Sequence, residues 1–446
     1  MNRFFATTCL LLAAAIPPLA IGQGVEEIRA EWQKLRSYPT LECGQYVLLA
    51  PDDYSYTEST RPADPELAAK LSELAHRAAD LGEAALAIRL ATEAVVADPD
   101  CEPARLALGY EKHDGRWLTS YGARMAGRGL EWNSSYGWID PEDLPRYEAG
   151  ERPYRRRWVS KEIDAEKHSN IAQGWQIRTD HFNVTTNHSL EAGVALAGKL
   201  EQLHQVWLSL FADFAIDDGE LRNRFEKHRV PGVRSRPYQV VYHRTQDEYN
   251  QELVARQPRI AETIGIYFDF QREAHFFFSE EYATDPTLYH ESVHQLFQES
   301  DGARRDPGLK DNFWAVEGVA TMFESLRQRR SDDGVVYFTI GTPEAGRLAS
   351  ARRRLLEEGY RVPLGDLVTL GKRDLQGRSD LVPLYSQMAG LATFCMQSPD
   401  HRPHFVEYLQ QIYAHRAEPA TLSTLMGRTY ADLDGQYREF LLQLAE

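Results

Sequence analysis

No Cys-x-x-Cys pair occurs anywhere in the 446 residues, and the four cysteines stand far apart. A thiolate metal site is thereby excluded, so any metal must be held by histidine and carboxylate. Lys and Arg number 50 against 66 Asp and Glu, and the formal charge of −16 leaves no cationic surplus for a nucleic-acid partner. Beyond residue 23 no apolar run approaches the length of a bilayer-crossing helix, so no membrane span is expected in the body of the chain. Core-forming residues are plentiful: 43% of the chain is apolar, and its length allows two or three domains.

The start of the chain has its own texture. Arg3 is the lone charge of residues 1–23, residues 4–20 are apolar, and Ala20-Ile21-Gly22 sets small residues at a cleavage spacing. Pro17 and Pro18 interrupt a run already short for a membrane anchor. Residues 1–22 are therefore expected to be a signal peptide, and the mature protein periplasmic or extracellular. Cys9 would leave with that segment. Cys43, Cys101 and Cys395 then allow at most one internal disulfide, and Cys43–Cys101 is the expected pair.

Leu67, Leu71, Leu74, Ala78 and Leu81 recur at helical spacing after Pro65, and Gly82 ends that run. A second helix is expected over 83–97, with Leu86, Leu90, Ala94 and Ala97 on one face and Asp98-Pro99 as its stop. The pair resembles one tetratricopeptide hairpin. A single hairpin serves equally as a helical packing unit or as a surface that recruits a protein partner. Trp- and Gly-rich segments follow (Gly115-Arg116-Trp117, Tyr136-Gly137-Trp138, Arg157-Trp158-Val159) and read as loosely repeated connecting material.

From Gly174 the pattern changes again. Residues 175–178 and 182–186 alternate like strands, and Asn187-His188-Ser189 offers a cap for a long amphipathic helix over 190–214. His204 on that helix reads as structural. Residues 238–243 read as a strand, and 264–270 with 274–279 as a hairpin. These shifts divide the chain into the signal peptide (1–22), a mainly helical region (23–133), a connecting region (134–173) and a domain over 174–446.

Within that last domain stands His290-Glu291-Ser292-Val293-His294. Asp285-Pro286 supplies a helix start, and positions four apart share one helix face, so His290 and His294 aim both imidazoles at one point. Two neutral imidazoles make half of a tetrahedral zinc site, and Glu291 beside them is placed to take a proton from an activated water. A site with an open position needs a third ligand. Glu317, 23 residues beyond His294 on the next expected helix, faces back across a helix-turn-helix, and the small Gly318 and Ala320 let the helices approach. Zinc suits a His/His/Glu set with an open water position, although cobalt or manganese fit the same geometry.

H-E-x-x-H followed by Trp314-x-x-Glu317-Gly318-x-Ala320 resembles the gluzincins, zinc peptidases with two His and one Glu as ligands, and most nearly bacterial peptidase-MA-like proteins. The resemblance covers about Gly174 to the C-terminus. It implies an α+β class, with a thermolysin-like zincin domain (a small mixed sheet plus a helical lobe) after the mainly helical N-terminal region. It also implies Glu291 as general base, and His290, His294 and Glu317 as ligands of one Zn2+. An oxyanion donor is expected on a helix sixty to seventy residues past the glutamate ligand. Tyr385, 68 residues beyond Glu317, is the candidate, with Tyr360 and His401 as alternatives. Glu324, two turns after Glu317, is either a carboxylate that orients a ligand or an ordinary partly exposed one.

One departure is visible. Aminopeptidases of that superfamily carry a G-x-M-E-N-type strand whose Glu binds the substrate's amino group, and here Gly265-Ile266-Tyr267-Phe268-Asp269 has none. Internal cleavage is the expectation, unless Asp269 or Glu273 substitutes. Strand 275–279 is expected to offer an edge to an extended peptide. The leading expectation is thus an exported zinc-dependent peptidase acting on a peptide or protein. The alternatives are a non-catalytic cell-envelope binding or scaffold protein with a peptidase-like domain, and a zinc hydrolase of a non-protein amide.

Overall fold

A computed structural model describes residues 18–35, 44–55, 59–230, 232, 236–280 and 285–444. The expected signal segment lies outside them up to residue 17, and so does Cys43. Cys101 is a free, buried thiol with its Sγ 3.9 Å from the Ala68 carbonyl oxygen, and the expected Cys43–Cys101 disulfide has its other half outside the described residues. Its sulfur is occupied in packing one helix start against another. No helix among the described residues is long and apolar enough to cross a membrane.

In the N-terminal region the Asp64 carboxylate accepts the Leu67 N–H and Pro65 occupies the first turn, so helix Pro65–Asp80 starts where its caps require. Gly82, at φ +81°, makes the left-handed turn into helix Ala84–Ala97. Every residue of that second helix except Arg89 is buried. It lies between its hairpin partner and the long helix Leu190–Ala215, which we call the spine helix. Ala212 of the spine packs in the N-terminal core while Leu210 and Phe211 pack in the main core, so one helix serves both. The backbone leaves helical geometry at Phe211, at the changeover.

The strands are numbered along the chain. β1 (Gln45–Leu48) comes first. Three hairpins follow: β2 (Tyr110–His113) with β3 (Arg116–Thr119), β4 (Glu131–Asn133) with β5 (Gly137–Ile139), and β6 (Glu151–Tyr154) with β7 (Arg157–Ser160). Each is followed by a short helical turn. Trp117, Trp138 and Trp158 hold the same place, second in the returning strand, so the loose sequence repeat is a repeated hairpin–helix unit. It begins at Tyr110, and residue 134 falls in the turn of the second hairpin. The units fasten to the main domain. Arg152 pairs with Glu191 at the head of the spine helix at 2.5 Å, and Trp175 donates to Asp164 at 2.9 Å.

The main sheet contains β8 (Trp175–Arg178), β9 (Phe182–Thr186), β10 (Tyr238–His243), β11 (Gly265–Phe268) and β12 (Glu273–Phe277), in the order β11-β12-β10-β9-β8. β9, β10 and β12 run parallel, while both outer strands are antiparallel to their neighbours. β12 is therefore interior, which overturns the expectation that strand 275–279 offers a free edge. The hairpin turns its second strand inward to pair with β10 and leaves β11 outermost. A second sheet, β1-β14-β13, joins β13 (Arg327–Arg330) and β14 (Val336–Ile340) to β1 from the N-terminal region. Small sheets in a largely helical chain make the class mixed, compatible with α+β.

Candidate metal centre

The site is built on three helices. The motif helix, Asp285–Gln298, buries Leu288, Val293, Leu296 and Phe297 in the main core and turns His290, Glu291 and His294 to its other face. It is tied to the sheet by Gln295, whose amide donates to the Gln239 carbonyl of β10 at 3.2 Å. A Cβ on Gly265 would lie 2.7 Å from the Phe276 ring and 3.0 Å from Thr287 of the motif helix. Glycine there lets the edge strand run hard against the helix.

Helix Phe313–Phe323 is buried along its whole length. Asn312, at φ +60°, starts it, and its side-chain oxygen accepts the Tyr408 hydroxyl at 2.6 Å. Trp314 is fully buried against Phe405 and Tyr408. Helix Leu381–Gln397 crosses it closely. A Cβ at Gly318 would lie 2.9 Å from the Met388 carbonyl oxygen and 3.4 Å from the Ala392 Cβ. That approach brings Tyr385, one turn before Met388, to the face carrying Glu317.

His290 Nε2 and His294 Nε2 are 3.2 Å apart, and Glu317 Oε2 lies 3.5 Å from the first and 3.9 Å from the second. Ligand atoms about 2.0–2.2 Å from a shared tetrahedral ion stand roughly 3.3–3.6 Å from one another. The three donors fit that spacing with only a small adjustment of His294. They are the one such group among the described residues, and together they could hold a metal ion.

Protonation follows from this crowding. Burial works against a charged His290, but its contacts with Glu317 and Glu324 and the charge of Glu291 prevail and raise it to about 10. His294 is lowered to about 4 by burial, with the charges of His290 and Lys372 adding to it. Burial would raise Glu317, yet the hydrogen bond to His290 and the two imidazole charges bring it down to about 2. Glu291 is pushed up to about 7 by burial and by the neighbouring Glu317 and Glu324 carboxylates. One of its oxygens accepts the backbone N–H of Tyr267 in β11 at 2.9 Å.

Around these groups stand the other residues singled out by sequence. Glu324 Oε1 is 3.2 Å from His290 Nδ1, on the side of the ring away from Glu317. The Tyr385 hydroxyl lies against the Glu317 carboxylate, whose charge and hydrogen bond, with burial, raise the phenol well above its usual range. The two alternatives to Tyr385 are engaged elsewhere. Tyr360 donates to Asp380 at 2.9 Å, and His401 packs on Phe394 with ring centres 4.8 Å apart. His204 stacks on His181 at 3.7 Å, away from the site. Asp269 lies beyond the end of β11, and Glu273 pairs with Arg256.

Two contributors carried no sequence signal. The first is the Tyr267 amide, a backbone group whose placement depends on sheet order. The second is Arg347, whose Nε donates to Glu324 at 2.8 Å. No family model matches the chain, and no curated protein matches it.

Proposed function

We propose that this protein is an exported zinc-dependent peptidase with a thermolysin-like site, related in kind to the gluzincins. The observation that carries the reading is the convergence of His290, His294 and Glu317 at 3.2, 3.5 and 3.9 Å, with Glu291 beside them on the motif helix. Two imidazoles and one carboxylate suit zinc, and three protein donors leave a tetrahedral position open. An antiparallel edge strand lying against the motif helix also supports the thermolysin-like comparison.

In this reading His290, His294 and Glu317 hold the ion, which when bound supplies Lewis acidity to the scissile carbonyl and to the attacking water. Glu291 receives the water's proton and later delivers it to the leaving amine. The Tyr267 N–H holds one carboxylate oxygen still and leaves the other free for that transfer. Tyr385 donates its hydroxyl hydrogen to the oxygen that becomes negative as the carbonyl is attacked. Glu324 accepts from His290 Nδ1–H and so presents Nε2 to the ion. The substrate is an extended peptide or protein segment.

The test is metal analysis of the purified protein together with a peptide-library assay on wild type and Glu291→Gln. Zinc near one per chain is expected in both, with cleavage reduced about 10²–10⁴-fold in the variant. Absence of metal after reconstitution with zinc overturns the reading. Bound zinc with no cleavage of any library member favours the scaffold alternative.

A further inference from the structure

We propose that Arg347 is a positioning residue for the site, holding through one guanidinium both the carboxylate behind His290 and the ring of Tyr385. The inference rests on the peptidase reading and goes beyond its ligands, base and oxyanion donor. Arg347 Nε lies 2.8 Å from Glu324 Oε2, and a terminal guanidinium nitrogen lies 3.3 Å from Oε1, the oxygen that faces His290 Nδ1. The same guanidinium carbon sits 5.5 Å from the centre of the Tyr385 ring. One planar cation thus touches the support of a metal ligand and the oxyanion donor, which come from different helices.

The backbone is shaped to put it there. Arg347 immediately precedes helix Leu348–Leu356, and Gly346 before it takes φ +67°. A Cβ on Gly346 would lie 2.9 Å from the Ser325 Cβ, so the chain is pressed onto the residue that follows Glu324. Ser325 in turn accepts the Gly341 N–H at 2.8 Å, which fixes the loop leading to Gly346. Two turns further on, Arg354 donates to the hydroxyl of Ser386, the neighbour of Tyr385, at 3.0 Å. Arg347 at the head of this helix and Arg354 within it therefore both meet the tyrosine helix, at Tyr385 and at its neighbour Ser386.

An ion pair with a one-third exposed arginine contributes little to global stability. Its effect is directional. A carboxylate can rotate away from an imidazole, and a two-point guanidinium contact removes that freedom. The flat cation also limits how far the phenol can swing from Glu317.

The experiment measures zinc affinity by chelator competition, kcat and KM, and the unfolding midpoint of the metal-free protein. Its variants are Arg347→Gln, Arg347→Lys and doubles of Arg347→Gln with Glu324→Gln or Tyr385→Phe. Arg347→Gln is expected to weaken zinc binding about tenfold and lower kcat about tenfold at unchanged KM, with the metal-free midpoint preserved. Arg347→Lys restores zinc affinity, because the charge still meets Glu324, but not kcat, because an ammonium does not cover the ring. The doubles lose no more zinc affinity than Glu324→Gln and no more kcat than Tyr385→Phe. Affinity and kcat within about twofold of wild type in Arg347→Gln, or fully additive doubles, overturn the proposal while leaving the peptidase reading intact. Failure of the wild type to bind zinc overturns both.

Discussion

The Nε2 atoms of His290 and His294 face one another at 3.2 Å, yet the first ring titrates near 10 and the second near 4. His290 is wedged between two carboxylates, Glu317 and Glu324, while among the described residues His294 pairs with Glu317 alone. In the metal-free protein at neutral pH the pair therefore shares one proton, held on His290. Both lone pairs are available to an ion only after that proton leaves.

Zinc binding at neutral pH is accordingly expected to release about one proton, and apparent affinity to rise about tenfold per pH unit until His290 loses its proton unaided. Calorimetry in buffers of different ionisation enthalpy reads the proton count directly, and a count of zero contradicts the assignment. The same shift bears on stability. The folded-state value of about 10 lies above the ordinary 6.5. The stabilising contribution of His290 is thus complete below pH 6.5 and is lost as pH rises towards 10. Metal-free protein should melt at progressively lower temperature over that interval, and saturating zinc should flatten the trend.

Tyr385→Phe removes a hydroxyl that lies against Glu317 without altering the ring. Its expected signature is a kcat lower by about 10²–10³-fold, with KM and zinc content unchanged. A fall in zinc content instead would make Tyr385 a support of the ligand and not a donor to the reaction.

Gly318 carries the helix crossing that sets Tyr385 beside Glu317. A Cβ there would meet the Met388 carbonyl oxygen at 2.9 Å, so Gly318→Ala must push the two helices apart. Denaturant unfolding should show a loss of about 1–3 kcal/mol. Gly198, a spine-helix position with nothing near its would-be Cβ, is the control. Its change to Ala should stabilise the protein by about 0.5–1 kcal/mol.

Legibility in the sequence followed the distance over which each feature is encoded. The motif helix and helix Phe313–Phe323 were readable because their apolar faces repeat at helical spacing, and Glu317 and Glu324 stand two turns apart, the second as the C-cap of the helix that carries the first. Tyr385 was reachable only through the family resemblance, since nothing in its local sequence says which neighbour its hydroxyl meets. Sheet order was not readable. Both strands of the β11–β12 hairpin are apolar enough to be interior, and only the parallel pairing of β10 with β12 decides which one remains at the edge. Arg347 sits in a loop whose neighbours Glu324 and Tyr385 are set by tertiary packing, and an arginine beside a glycine is unremarkable until that packing is known.

β1 completes its sheet with β14, so Gln45 has no partner until Ile340 has been made. Most of the polypeptide must leave the ribosome before those two strands can meet, and closing so long a loop is slow. Until then β1 has no sheet partner, and His290, His294 and Glu317, the group that could hold a metal ion, are likewise made well after it. A chain cut short before β14 leaves β1 without the strand that pairs with it.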